Sequence, residues 1–410
     1  MTDARSSLSV FLYRDYLLLW IILMTSSIGS WLRILGTAQW LLEDTNSAWL
    51  VGVIGFVQLV VQTPALLWGG ALADRLDRKQ LMVLSHALTA ITLIGLGSML
   101  LIDQLTTTWV YFGIAVTAMS HVFASPSRAA LIPVVLPERL LLPAASMDTA
   151  SQNTAAVIGP LIFAAVAATA GLGVVLTLGG VLFLIASATP TLLRVHGSVN
   201  HEPRESTVWQ ETREGLSYTA KHPILPGLFL LDAGITVVSF YRDILPVLAL
   251  GLFAGGAVVS GSLGAANSIG AVVGSFAALL FVAYRAKGML VLYASLAYAL
   301  FLFGFGLADN LWFGLVMIAL LGAADAVTVA VRHTTVMLTT PDEMRGRAFS
   351  LMFLAAYTAN NLGTIWVGFW AGLIGASNTM LFGAILAVIA TLLIGYYWQP
   401  IRSFRSKLDE

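Results

Sequence analysis

Gly70-Ala-Leu-Ala-Asp74-Arg75-Leu76-Asp77-Arg78-Lys79 separates two apolar runs, roughly 49–72 and 81–102. Half of this stretch is charged, in a chain of 410 residues that is 58% hydrophobic and only 10% charged. Soluble domains carry about 25% charged residues, so this chain has too few to cover a surface that faces water. Each flanking run has the roughly 20 residues that a helix needs to cross about 30 Å of hydrocarbon. The charged stretch therefore reads as a connection at one membrane face, between two spans.

The same alternation continues in both directions. Spans one to six cover roughly 16–41, 49–72, 81–102, 108–135, 144–170 and 172–193. Spans seven to twelve cover roughly 224–250, 257–283, 288–308, 311–338, 348–373 and 377–398. Helices are expected, because a helix satisfies its own backbone in lipid, and the alternating short strands of a membrane barrel are absent. One side of the membrane receives Arg5, Arg14, Arg75, Arg78, Lys79, Arg139, Arg194, Arg204, Arg213, Lys221, Arg285, Lys287, Arg345, Arg347, Arg402, Arg405 and Lys407. Connections on the other side hold Glu43, Asp44, Asp103 and Asp309, the turn near Gly171, Gly255-Gly256 and Gly375, with no base. By the positive-inside rule the basic side is cytoplasmic, and both termini belong there. Only four of the 21 Lys and Arg residues remain, Arg33, Arg128, Arg242 and Arg332, and each falls within a span.

The longest polar stretch, 195–222, divides the spans six and six. The expected fold class is an all-α membrane protein of twelve transmembrane helices in two six-helix bundles, 1–194 and 223–410, with 195–222 as a cytoplasmic linker. Residues 208–220 carry Trp209, Leu216 and Tyr218 among charges, the pattern of a helix lying on a membrane surface; a solvated linker is the reading preferred here. The chain has no cysteine, which excludes disulfides and thiolate chemistry. Its first ten residues do not form a signal peptide, so the first span is expected to be retained.

Twelve spans with a central loop and cytoplasmic termini resemble the major facilitator superfamily. The motif quoted above resembles that superfamily's loop 2–3 signature: Gly70, three residues, Asp74-Arg75, one residue, then Asp77 where Gly is commonest, Arg78 and Lys79. Asp tolerates a left-handed turn better than most residues. The resemblance implies that this cluster latches the cytoplasmic ends of the two halves, its bases bridging to acids or lipid phosphates. Asp-Arg-x-Asp-Arg, Pro126-Ser-Arg128-Ala-Ala-Leu-Ile-Pro133 and Pro341-Asp342-Glu343-Met344-Arg345-Gly346-Arg347 resemble the branch that contains enterobactin (siderophore) exporters and macrolide efflux proteins. Gly159-Pro160 is similar to a pair found in antiporters of the superfamily. The second half's Tyr284-Arg285-Ala-Lys287-Gly288 keeps the bases and lacks the Asp-Arg core.

A charge at the bilayer centre costs at least about 2.5–3.5 kcal/mol, and it is cheapest beside a wet cavity. The charges within spans are Arg33 in span one, His121 and Arg128 in span four, Asp232, Arg242 and Asp243 in span seven, and Asp325, Arg332 and His333 in span ten. The resemblance implies that these four helices line a central cavity. Asp148, in the first turns of span five, reads as a helix-start residue within reach of water, and His86 as packing. At about 1.5 Å per residue, Asp232 lies roughly 12 Å from the cytoplasmic edge and Asp325 roughly 21 Å from the periplasmic edge. Both reach the midplane, so Asp232 or Asp325 is the candidate proton carrier; a structural ion pair of either with Arg33 is the competing reading. Burial raises a carboxylate's pKa and a nearby guanidinium lowers it, so a change of surroundings couples protonation to conformation. Four arginines against three deep acids, Asp232, Asp243 and Asp325, favour an anionic substrate such as a siderophore. Neutral candidates for substrate contact are Gln58, Gln62, Asn153, Asn267, Asn360 and Asn361, with Trp31, Trp40, Phe240, Tyr241 and Tyr357 as aromatic ones.

No phosphate-binding Gly-x4-Gly-Lys-Ser/Thr loop, metal-ligand spacing or nucleophile elbow occurs, and no soluble segment is long enough for a catalytic domain. An enzyme is not expected, nor is a nucleic-acid partner, a metal or a cofactor other than a proton gradient. The reading is a multi-pass secondary active transporter of the bacterial inner (plasma) membrane, expected to be a monomer whose partners are small-molecule substrate, protons and lipids. It exports a siderophore or drug-like molecule by proton-coupled alternating access. The alternatives are a lysophospholipid or other lipid carrier of the same fold and, from another class, a non-transporting membrane sensor or scaffold.

Overall fold

The computed structural model describes residues 9–73, 77–195, 208–281 and 284–405. Among these residues all regular structure is helical. The main helices are α1 (Arg14–Thr45), α2 (Ala48–Ala73), α3 (Arg78–Leu101), α4 (Thr107–Ala129), α5 (Leu141–Ala188), α6 (Val208–Lys221), α7 (Leu225–Ser239), α8 (Leu245–Phe253), α9 (Ala257–Leu280), α10 (Lys287–Gly306), α11 (Leu311–Thr339), α12 (Asp342–Ile374) and α13 (Ala376–Tyr397). Nine helical stretches among the described residues are long and apolar enough to cross a membrane. One of them, Glu138–Leu192, is 55 residues long. It is interrupted at Gly171, where φ of 82° and ψ of 171° break the helix; glycine adopts this backbone without a Cβ clash.

The structure departs from the expected spans in four places. The seventh span is two helices, α7 and α8, with Phe240 extended and a single 3-10 turn at Arg242–Ile244 between them. Pro246 explains the break, since it lacks an N–H and its ring clashes with the carbonyl four residues back. The fourth span ends at Ala129, and a short helix, Ile132–Val135, follows it. The eleventh begins early, because Asp342–Arg347 is already helical. Val208–Lys221, within the stretch expected as a linker, is helical. Its Glu214 Oε2 accepts a 2.6 Å hydrogen bond from Arg347 Nη1, and Gly215 packs against Arg347 and Leu351.

The chain packs as two compact units, Met1–Leu41 with Val60–Glu205 and Leu42–Leu59 with Ser206–Glu410. In the first, Ala90, Leu93 and Leu96 of α3 bury against Leu176 and Phe183 of α5. In the second, Leu225, Val336, Ala348 and Met352 form a core cluster. Large apolar side chains also point outward, with Leu280 82% and Trp312 80% exposed. Water penalises such a surface and hydrocarbon does not.

Within the second unit, Gly52 and Gly55 of α2 cross α12 at backbone contact. A Cβ on Gly55 would lie 2.3 Å from the Asn361 carbonyl oxygen, and one on Gly52 would lie 2.9 Å from Gly368 Cα. Small residues let membrane helices approach this closely. Gly55→Val is therefore expected to lower the melting temperature in detergent, at an overpacking cost of about 1–3 kcal/mol. Gly95, in α3, has nothing within 4 Å of its Cβ position, so Gly95→Ala should stabilise by about 0.5–1 kcal/mol. Equal melting temperatures for the two variants would contradict this packing.

His222, between α6 and α7, caps α7. Its Nδ1 accepts from the backbone N–H groups of Ile224 and Leu225, each at 3.2 Å. Its Nε2, 3.3 Å from the Thr339 carbonyl, is then the donor. Burial lowers the imidazole pKa below 6.5, against a smaller opposing effect of the Thr339 carbonyl. The cap thus contributes stability above the unfolded-state value of about 6.5 and loses it as pH falls further. Protection factors for amide exchange at Ile224 and Leu225 should fall below that pH, and His222→Ala should abolish the dependence.

Candidate functional site

The α7–α8 break and one face of α11 build a cavity of about 260 Å³ inside the second unit. The extended Phe240 turns the chain so that Tyr241 is buried while Arg242 is exposed to the cavity. On α11, Asp325, Thr328 and Arg332 follow one another at three- and four-residue steps and so share a face. Asp232 of α7 lines the same cavity. Four of the charges picked out from the sequence, Asp232, Asp325, Arg242 and Arg332, therefore converge here.

The two acids differ. Asp232 forms an ion pair with Arg332, whose side chain is almost fully buried. It is a structural ion pair inside the second unit. Asp325 has no ion pair among the described residues; its electrostatic neighbours are Arg242 and the phenols of Tyr241 and Tyr298. Those phenols are held from outside the cavity. Asn267 Nδ2 donates to Tyr241 Oη, and Ser239 Oγ and the Tyr298 hydroxyl are 3.1 Å apart. Arg332 Nε is buried with no partner among the described residues. Asp243 does not line this cavity. His333 packs edge-on against Phe349 and Phe353, with ring centroids 5.7 and 6.0 Å away.

A second cavity, about 130 Å³, lies inside the first unit. Arg33, His121 and Arg128 line it, as does His86, which the sequence reading had assigned to packing. Arg128 Nη2 donates to Asp148 Oδ2 at 2.6 Å. Tyr16 Oη donates to Asp148 Oδ1 and lies equally near the Ala144 carbonyl, both at 3.2 Å. Asp148 is thus buried, 6% exposed, and not a solvated helix-start residue. The reason is that α5 starts at Leu141, after the turn Glu138–Leu140. Asp148 consequently lies about 10 Å along the helix axis.

The loop 2–3 motif is described in part. Gly70 lies in α2, and Asp74 and Arg75 fall outside the described residues. Asp77 has φ of −63°, so it is not left-handed; it is the N-cap of α3, accepting from Lys79 N at 2.8 Å and Gln80 N at 3.1 Å. That satisfies orphan N–H groups of the helix. Arg78 Nη1 donates to the Ala130 carbonyl at 3.1 Å, and Lys79 Nζ to the Leu193 carbonyl at 2.8 Å. The two bases therefore hold helix ends within their own unit, where cations complement helix C-termini.

Of the neutral candidates, Asn360, Phe240 and Tyr241 line the larger cavity, and Asn267 supports it from behind. Gln58, Gln62, Asn153, Asn361, Trp31, Trp40 and Tyr357 line neither. Sequence reasoning passed over Tyr298, Ser295 and Thr328, which do line the larger cavity. Only the three-residue step from Asp325 could have pointed to Thr328.

Comparison with known proteins agrees with this architecture. The family model described as transmembrane secretion effector matches residues 5–407. The enterobactin exporter EntS of Shigella boydii serotype 4 (strain Sb227) is 28% identical over 363 residues, 86% of this chain and 83% of that protein. EntS of Escherichia coli O139:H28 (strain E24377A / ETEC) matches to the same extent. Among solved structures, the nucleoside transporter NupG superposes with a TM-score of 0.70 at 16% identity, over 94% of this chain and 99% of that one. A bacterial homolog of the human lysosomal transporter Spinster, inward-facing and occupied, gives 0.71 at 15%, over 95% and 98%.

Proposed function

The chain belongs to the transmembrane secretion effector family, and on that premise we propose that it is a proton-coupled exporter of a siderophore or drug-like small molecule. It works by alternating access in the bacterial inner membrane. The relatives named as enterobactin exporters support export of a siderophore. Twelve spans with cytoplasmic termini follow if α5 counts twice across Gly171 and α7–α8 count as one broken span. The two bundles are then 1–194 and 223–410, joined through 195–222, with the loop 70–79 as the cytoplasmic latch.

The observation that carries the proposal is the grouping of Asp232, Asp325, Arg242 and Arg332 around one cavity. Buried charges persist in a membrane protein where they bind, pair or move something. Asp325 takes the role of proton carrier, because it can gain or lose a proton without breaking an ion pair. Asp232 and Arg332 hold α7 to α11 and set the shape of the site. Protonation of Asp325 and release of substrate are linked because the substrate and the proton share one cavity. A deletion strain tests substrate and direction together: siderophore should accumulate in cells and fall in the medium. Unchanged partition, with the wild-type chain expressed in the parent, counts against siderophore export.

A further inference from the structure

Proton coupling, as proposed, leaves the first unit's cavity without a role, and its chemistry differs from that of the other. Arg33, His86, His121 and Arg128 line it, and no Asp or Glu is among its described lining residues. Arg33 interacts electrostatically with His121, and His121 with His86, so these basic groups are near one another. The remaining lining is rich in hydroxyls, such as Ser30, with the amide of Gln152.

Arg128 supplies the second observation. It is only 8% exposed, and Asp148 engages Nη2 alone. Nη1 is buried and has no partner among the described residues. Native proteins seldom leave a buried charged donor unmatched. Asp148, itself held by Tyr16, fixes the guanidinium plane. A guanidinium, imidazole N–H groups and hydroxyls recognise carboxylate or phosphate oxygens. The cavity, about 130 Å³, has room for such a group.

We propose that this cavity is an oxyanion subsite, binding a carboxylate or phosphate group with Arg33, Arg128, His86 and His121. The anion is an acidic group of the exported molecule, a free inorganic anion or a lipid headgroup. In the first case the inference rests on the transport function proposed above; the site itself does not depend on Asp325 carrying protons.

The full chain in phosphatidylcholine nanodiscs, titrated with benzoate, inorganic phosphate and the neutral isostere benzamide, tests it. A second set of discs containing phosphatidylglycerol tests the lipid source. Saturable binding of benzoate or phosphate without binding of benzamide is expected, or phosphatidylglycerol should raise the melting temperature and compete with benzoate. Arg33→Gln should raise the benzoate or phosphate Kd about tenfold or more, the usual scale for a lost charge-assisted hydrogen bond. The Arg128→Gln/Asp148→Asn double variant removes Nη1 without leaving a buried carboxylate alone, and should do the same. Asp325→Asn should leave the Kd unchanged, which separates failure of this site from failure of proton coupling. The proposal is overturned if none of the three anions binds saturably, if benzamide binds as well as benzoate, or if folded Arg33→Gln and the double variant keep the wild-type Kd.

Discussion

Asp148→Asn is expected to cost about 3–5 kcal/mol, the usual penalty for breaking a buried ion pair by removing one partner. Arg128 would keep its charge with its side chain 10% exposed, and Tyr16 would lose the carboxylate that accepts from it. Against a total stability of about 5–15 kcal/mol, that is enough to cut the yield of folded protein sharply. Arg128→Met combined with Asp148→Leu should recover most of the loss, because well-packed apolar replacements of buried pairs are commonly neutral or stabilising. Melting temperatures in detergent measure both variants. A single variant as stable as wild type would mean that water reaches the pair and that the buried network of Tyr16, Arg128 and Asp148 contributes little.

Asp325→Asn is expected to abolish gradient-driven export while leaving substrate counterflow intact. The substitution keeps size and polarity but cannot take up and release a proton. Counterflow exchanges substrate for substrate and needs no net proton movement, so the cavity's binding function survives. Asp232→Asn should behave differently. It leaves Arg332, already carrying a buried Nε without a partner among the described residues, with no carboxylate to pair with. Its expected signature is a loss of stability of about 3–5 kcal/mol, with export and counterflow falling together. Retention of full gradient-driven export by both variants would remove the proton-carrier role from this cavity.

The long apolar helices were legible because apolar length is a one-dimensional signal, and the break at Gly171 because a turn there needs no partner. The location of charges on α1, α4, α7 and α11 was equally legible, since each interrupts a long apolar run. Partnership was not. Arg128 meets an acid 20 residues further along the chain, across the turn that starts α5 early, and nothing in the spacing marks that pair. Asp232 faces Arg332 through tertiary packing alone. The local breaks had signals that were weighed too lightly: Pro246 foretells the gap before α8, and Asp77 ahead of Arg78-Lys79-Gln80 is an ordinary N-cap pattern. Charge counting over all four helices weighed their charges together. Within the second unit acids and bases balance around one cavity, and within the first unit basic residues line another.

Proton release on substrate binding tests the central claim most directly. Purified protein in weakly buffered detergent solution, mixed with the substrate identified by the deletion strain, should release protons from wild type. Asp325→Asn should release none while binding the substrate with similar affinity. Release of equal size from wild type and Asp325→Asn, or no release from wild type at any pH between about 5 and 9, would contradict the account.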